Sequence, residues 1–213
     1  MSVSTQTIPL FPLGTTLYPD GLLDLKIFEV RYLDMIKECV RDNTPFGVVT
    51  INQGSEVRQP NEQLSLMSFG TLAHIAEFEA VQPSLFFIRC QGGQRFRLNQ
   101  YSQEKNGLWI GEVELMPDDK SCAIPEHVQD MAQRLGEIIV GLKGRGLSEA
   151  QIPFASPYLL DDCAWVANRW CEIMPISAAQ KNHLSSISFF RLHFNLVLID
   201  LLHNIQVHIG VAK

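Results

Sequence analysis

No stretch of this chain approaches the roughly 20 consecutive apolar residues that a membrane-spanning helix needs. The longest apolar stretch, residues 189–209, is interrupted by Arg191, His193, Asn195, Asp200, His203 and Asn204. Residues 1–7 carry neither the basic region nor the apolar stretch of a secretory signal, so no membrane role is expected. The five cysteines are an odd number, and no two stand in a Cys-x-x-Cys pair. They read as reduced, mostly buried thiols, and the expected compartment is the cytoplasm.

Metal and nucleotide chemistry are missing too. His193 and His203 are ten residues apart and off register on one helix. His203 and His208 are five apart rather than the four that pairs ligands on one face. His74 stands alone in a strand, and Cys163 and Cys171 lack zinc-knuckle spacing. No metal site and no cofactor are expected. The phosphate-binding pattern Gly-x4-Gly-Lys-[Ser/Thr] does not occur. The glycines at 141, 144 and 146 follow a helix, whereas a phosphate loop opens one. Lys181 and Ser185 have helical spacing, but a catalytic pair also needs an oxyanion site and a pocket that lowers the lysine pKa. No catalytic residues are assigned.

Charge is scarce, at 19% of residues, and the net charge is −6. Residues 1–125 hold 10 lysines and arginines against 15 acids, whereas residues 126–213 hold 7 against 8. An acidic protein repels phosphate backbones unless it concentrates a basic patch. Arg89, Arg95 and Arg97 form the nearest approach, and it is thin. Nucleic acid is a disfavoured partner.

Apolar residues are plentiful, at 46% of 213, enough for a proper core. The pattern divides near Met116-Pro117-Asp118-Asp119-Lys120. Before it, short runs read as strands: 22–27, 46–51, 69–78, 85–90, 95–101 and 109–116. In the last of these Trp109, Gly111, Val113 and Leu115 share one face. Gly92-Gly93 and Asn106-Gly107 read as hairpin turns. Pro9, Pro12 and Pro19 hold an extended opening segment. One helix interrupts the strands, with Tyr32, Met35, Ile36, Cys39 and Val40 as its apolar stripe, ended by Asn43-Thr44-Pro45. Glu29 and Arg31 are two apart and cannot pair across helical turns. Arg95 is expected to fix a hairpin by binding carbonyls or a carboxylate.

After the boundary the signals are helical. One helix spans about 126–142 and is broken by Gly141, Gly144 and Gly146. A second, 163–174, starts at Asp161-Asp162 and stops at Pro175. Ser177 caps a short third. A last helix, about 188–207, is apolar nearly all round, as in a helix buried among others. Trp165 and Trp170, five apart, do not share one stripe; core packing is favoured over an aromatic peptide anchor. Residues 52–64 form the longest loop-like stretch.

Several of these segments, in order, resemble the amino-terminal, substrate-recognition domain of Lon proteases. They are residues 8–32, from Ile8-Pro9-Leu10-Phe11-Pro12 to Phe28-Glu29-Val30-Arg31-Tyr32; Pro45-Phe46-Gly47-Val48-Val49; Phe69-Gly70-Thr71-Leu72-Ala73-His74-Ile75; and Gly92-Gly93-Gln94-Arg95-Phe96. Trp165-Val166-Ala167-Asn168-Arg169 and Ile173-Met174-Pro175-Ile176-Ser177, then Lys181 and Arg191-Leu192, continue the match. The resemblance implies an α+β fold: a PUA-like β-barrel with one inserted helix over residues 1–117, followed by a C-terminal helical bundle over residues 118–213. It implies a non-catalytic protein- or peptide-binding module, not an enzyme. Its partners would be proteins or unfolded polypeptides bearing exposed apolar segments, held at the barrel–bundle groove beside residues 52–64 or by strand addition. With 213 residues there is no room for Lon's motor and protease, and Lon's serine loop has no counterpart. An RNA-binding PUA-like domain is the alternative. Spacing alone names no contact residues.

Overall fold

The computed structural model describes residues 5–56 and 63–186. Its elements run β1 (Thr5–Leu13), β2 (Leu22–Ile27), α1 (Val30–Asp42), β3 (Phe46–Gln53), β4 (Ser65–Gln82), β5 (Leu85–Gln103) and β6 (Trp109–Leu115), then α2 (Gln129–Gly144), α3 (Cys163–Ile173) and α4 (Ala178–Ser185). The six strands form one mixed sheet in the order β2-β5-β4-β3-β1-β6. β1 and β3 run parallel. β6 pairs with β1 on one side and with Phe96–Gln103 of β5 on the other, so the hydrogen-bonded path returns to β5.

The opening segment is a strand, β1, despite its prolines. It pairs with β6 from Thr5 to Leu10 and with β3 from Leu10 to Leu13. Pro9 and Pro12 each keep one edge without a ladder partner, where a missing N–H is tolerated.

The two runs 85–90 and 95–101 are one continuous strand, not a hairpin. Thr71 pairs with Arg95 and Ala73 with Gly92, so β5 carries an extra residue at this point, the signature of a bulge. The glycine is needed for close approach rather than for a turn. A Cβ on Gly92 would lie 2.0 Å from the Tyr18 carbonyl oxygen. Gly92 N–H donates to Gly21 O at 2.8 Å, and Asp20 N–H donates to Gly92 O at 2.8 Å. The Asn106-Gly107 turn is present, with Gly107 at φ 86° and Gly107 N–H donating to Glu104 O at 2.9 Å.

Helix α1 buries Tyr32, Leu33, Met35, Ile36 and Cys39, and ends at Asn43 in the left-handed conformation. Val40 lies off this stripe and is exposed, whereas Leu33 is buried. Glu29 and Arg31 do pair, at 2.8 Å. Glu29 is the N-cap with extended backbone, so the helical spacing rule does not govern the two. The buried face of α1 joins Phe11, Leu25, Ile27, Phe46, Phe86 and Ile88 in one apolar cluster. A second cluster, around Leu10, Val49, Phe96, Leu98 and Val113, lies among the paired strands.

Helix α2 buries Met131, Leu135 and Ile139, four residues apart on one face. It continues through Gly141 and ends at Gly144; Gly146, at φ 79°, follows. Nothing lies within 4 Å of a Cβ placed on Gly141 or Gly144, so neither glycine marks a break forced by packing. Asp162 caps α3 by accepting from Trp165 N–H, and Ser177 caps α4 in a capping box with Gln180. These helices share a third cluster with Tyr18, which the strand-rich half contributes. The expected helix at 188–207 and residues 57–62 of the long loop lie outside the described residues. Among the described residues no helix is long and apolar enough to cross a membrane.

Candidate functional site

The segment between β1 and β2 is the hinge-pin of the molecule. Tyr18 is fully buried among the helices, and its hydroxyl donates to Lys181 O at 2.7 Å. Burial raises the pKa of that hydroxyl well above the usual phenol range, so it is a fixed donor. One residue on, Pro19 O accepts from Arg169 Nη2 at 2.6 Å. Arg169 is 0% exposed. It grips Glu172 through Nε–Oε2 at 2.8 Å and Nη2–Oε1 at 2.7 Å, and its guanidinium lies 5.4 Å from the centre of the Trp165 ring. Burial pushes the Glu172 carboxyl up to about 7, against the opposing pull of Arg169.

Two further ties join sheet to helices. Arg95, 2% exposed, donates from Nη2 to Asp119 and from Nη1 to Ser185 O at 3.3 Å. It binds a carboxylate and a carbonyl, as the sequence suggested, but from mid-strand rather than at a hairpin. Asn182 Nδ2 donates to Phe69 O at 2.8 Å.

Beside the Arg95–Asp119 tie lies an open cavity of about 390 Å³. Of the residues that line it, Gly92, Arg95, Ala164, Trp165 and Asn168 are buried, Gly93, Asp119 and Asp162 are half-buried, and Asp20, Asp118, Ser121 and Leu159 are exposed. Two acceptors here have no hydrogen-bond partner: Asp119 Oδ2 and Asn168 Oδ1. Asn168 is 2% exposed. The junction is concave, and its lining mixes apolar surface from Pro19, Pro117, Leu159, Ala164 and Trp165 with the carboxylates of Asp20, Asp118, Asp119 and Asp162.

The exposed apolar side chains lie elsewhere. Phe78 and Val81 lie near the end of β4 and Phe87 near the start of β5, and Phe28 and Val30 stand at the start of α1. A shallower concavity of about 550 Å³ runs over the β2, β5 and β4 surface there, lined by Lys26, Glu77, Glu79 and Phe87, and by Asp24 bonded to Arg89 at 2.6 and 2.8 Å. Arg89 holds the Asp24 carboxyl below its usual range. Glu56, in the long loop, accepts from Gly14 N–H at 2.6 Å and lines a third, smaller concavity beside Phe11 and Tyr32, away from the junction.

No catalytic set assembles from the residues tested. Lys181 Nζ is engaged with Glu172 O at 2.7 Å, and Ser185 is fully buried with its hydroxyl unpartnered. Burial pushes the Cys90 and Cys171 thiols up to about 12, away from nucleophilic thiolate. Among the described residues no group of three or more His, Cys, Asp or Glu is placed to hold a metal. The arginines at 89, 95 and 97 do not pool into a patch: Arg89 pairs with Asp24, Arg95 with Asp119, and Arg97 lies over Phe69 at 5.7 Å. Sequence reasoning missed Asp20, Asp119 and Asn168 as cavity groups. Only the Pro19-Asp20-Gly21 turn and the Asp118-Asp119 boundary marked two of them.

Comparison with known proteins bears on all of this. Residues 7–184 match the family model described as the ATP-dependent protease La (LON) substrate-binding domain. The chain is 30% identical over 100 residues to Lon protease 2 of Myxococcus xanthus, covering 46% of this chain and 12% of that protein. It is 26% identical over 129 residues to protein cereblon of Danio rerio, covering 57% of this chain and 29% of cereblon. It thus spans less than a third of the length of these curated relatives. Among solved structures it resembles a Lon N-terminal domain protein from Xanthomonas campestris, at TM-score 0.70 and 25% identity, over 91% of this chain and 98% of that one. It shares its fold with the N-terminal domain of the Mycobacterium avium complex Lon protease, at TM-score 0.57 and 14% identity, over 92% and 97% of the two chains. The chain belongs to the Lon substrate-binding domain family.

Proposed function

We propose that this family member is a polypeptide-binding module of the cytoplasm that recognises other proteins, or unfolded segments of them, and performs no chemistry of its own. The observation that carries the reading is the family match, which runs across both the sheet and the helices at residues 7–184. The returning strand path supports a PUA-like β-barrel as the first unit, residues 1–117, and helices α2 to α4, which end at Ser185, support a helical second unit beginning at residue 118. Two surfaces suit a polypeptide. The junction cavity offers polar groups. The β2–β5–β4 extension offers exposed Phe78, Val81 and Phe87 next to strand edges: β2 pairs only with β5, and the β3 pairing of β4 stops at Ala73. An extended segment adding to such an edge gains main-chain hydrogen bonds, while apolar side chains supply preference.

Immobilised protein should retain chemically unfolded polypeptides at micromolar concentration and release them when they fold. Absence of retention for every polypeptide offered would refute the module. Purified protein should hydrolyse neither ATP nor casein; turnover abolished by a point change in this chain would overturn the non-catalytic reading. RNA binding that falls steeply with salt would favour the nucleic-acid alternative instead.

A further inference from the structure

We propose that the free edge of β4, from Glu77 to Ala80, is a docking site for an extended polypeptide segment that alternates basic and apolar residues. The pairing of β4 with β3 ends where Phe46 meets Ala73. Beyond it, among the described residues, β4 pairs with β5 alone as far as Gln82. Every residue from Ala76 to Gln82 is exposed, so no other element covers this edge. Register shifts fall between Ile75 and Glu77 and between Ala80 and Gln82. Between them, Glu77, Phe78, Glu79 and Ala80 pair in regular register with Arg89, Ile88, Phe87 and Phe86. A regular edge with unpaired main-chain groups is a template for another strand.

The two faces of that window differ, and the difference selects the occupant. Phe78 stands opposite Ile88, which is buried in the apolar cluster that α1 joins, and its ring meets Phe86 at 5.1 Å. Phe78 itself is 40% exposed, so an added strand finds apolar surface on this face. Glu77 and Glu79 stand on the opposite face, because successive strand residues alternate. Glu77 is level with Arg89, but Asp24 holds Nε and Nη2 of that arginine at 2.6 and 2.8 Å. Among the described residues neither glutamate forms an ion pair. A strand laid along the edge sets its outward residues beside these two carboxylates. Cross-strand pairs of opposite charge stabilise and like charges repel. The outward residues that fit are therefore lysine or arginine, and the residue that fits beside Phe78 is apolar.

A second copy of this chain does not fit the edge. Antiparallel pairing about a two-fold axis keeps like faces together. Either register that matches three residues of the window with their copies then sets Glu77 opposite Glu79, or Glu79 opposite itself. The carboxylates block self-pairing while they admit a basic strand. Strand addition by a polypeptide rests on the binding-module reading above; the choice of edge and the alternation stand on register and charge. The test is calorimetric titration of the full chain with three capped peptides. The first is Ser-Lys-Val-Lys-Val-Lys-Ser, the second carries glutamate for every lysine, and the third is the basic peptide N-methylated at each lysine and valine. The basic peptide should bind at least about tenfold more tightly than the acidic one, a margin within reach of a few cross-strand charge pairs. It should also slow hydrogen exchange within residues 76–82. N-methylation removes the N–H donors and should weaken binding about tenfold or more. Glu77→Gln combined with Glu79→Gln changes two exposed positions. That variant should melt as the parent does and lose most of the preference for the basic peptide.

Equal binding of the basic and acidic peptides, an undiminished preference in the folded double variant, or unimpaired binding of the N-methylated peptide overturns the proposal. So does protection that maps outside residues 76–82. Sedimentation of the parent as a dimer, with residues 76–82 protected in the absence of peptide, makes a second copy the occupant and overturns it too. A parallel capture of an unfolded polypeptide free of lysine and arginine separates the two readings. Its retention by both parent and double variant upholds the binding module whatever the titration shows. Basic-peptide binding at residues 76–82 without capture of any unfolded polypeptide upholds the edge site and refutes the general module.

Discussion

At the scale of single residues, the most consequential group is Arg169. Among the described residues it is the largest fully buried side chain, and it holds Pro19 O, both Glu172 oxygens and the face of Trp165. Removing one partner of a buried ion pair leaves the other charge uncompensated. Arg169→Met should therefore destabilise by about 3–5 kcal/mol, read as a lower urea midpoint at unchanged slope. Adding Glu172→Gln should recover part of that loss. Glu172 also makes stability depend on pH. Its ordinary value is 4.5 and its folded value about 7. Between those values the folded chain binds more protons than the unfolded chain, so this group's contribution is full below about 4.5 and is lost as pH rises through about 7. Unfolding curves of the parent and of Glu172→Gln, taken from pH 4.5 to 7.5, should differ in slope against pH, with the parent losing more stability toward neutrality. Parallel slopes would mean that Glu172 ionises normally in the fold.

At the scale of elements, glycines with the same look in the sequence have opposite meanings. Gly92 lies under the Tyr18 carbonyl, where a Cβ would come within 2.0 Å of the oxygen. Backbone cannot yield as a flexible side chain does, so Gly92→Ala should cost about 1–3 kcal/mol or more and should perturb the Asp20 and Gly92 amide hydrogen bonds in hydrogen exchange. Gly141 lies in α2 with open space around it. Gly141→Ala should stabilise by about 0.5–1 kcal/mol through helix propensity, visible as a raised melting temperature. The approximate span of α2, the start of α3 at Asp161-Asp162 and the Ser177 cap were legible in the sequence because they are local. The hairpin misread at Gly92-Gly93 has the same root: a glycine pair signals unusual backbone, but whether it turns the chain or admits another strand depends on a segment some 70 residues away.

At the scale of the whole molecule, sheet and helices are bound through shared side chains rather than merely adjoining. Tyr18 sits in the helical cluster, Arg95 reaches Ser185 and Asp119, and Asn182 reaches Phe69. The chain should therefore unfold in one transition, with Trp165 fluorescence and far-ultraviolet circular dichroism tracing the same urea curve. A fragment of residues 1–117 should be poorly stable, because it exposes Tyr18 and leaves Arg95 buried without Asp119. Two separated transitions would mean that the halves are independent. The family and the positions of most of the described strands and helices were legible in the sequence, since each depends on short-range pattern and residue type. Only the tertiary structure decided that β5 is continuous, that Glu29 meets Arg31, and that Asp20, Asp119 and Asn168 face one cavity. The Glu29–Arg31 pair depends on the extended backbone at the helix start; the other two outcomes depend on contacts between residues far apart in the chain, where spacing carries no information and only packing selects the arrangement.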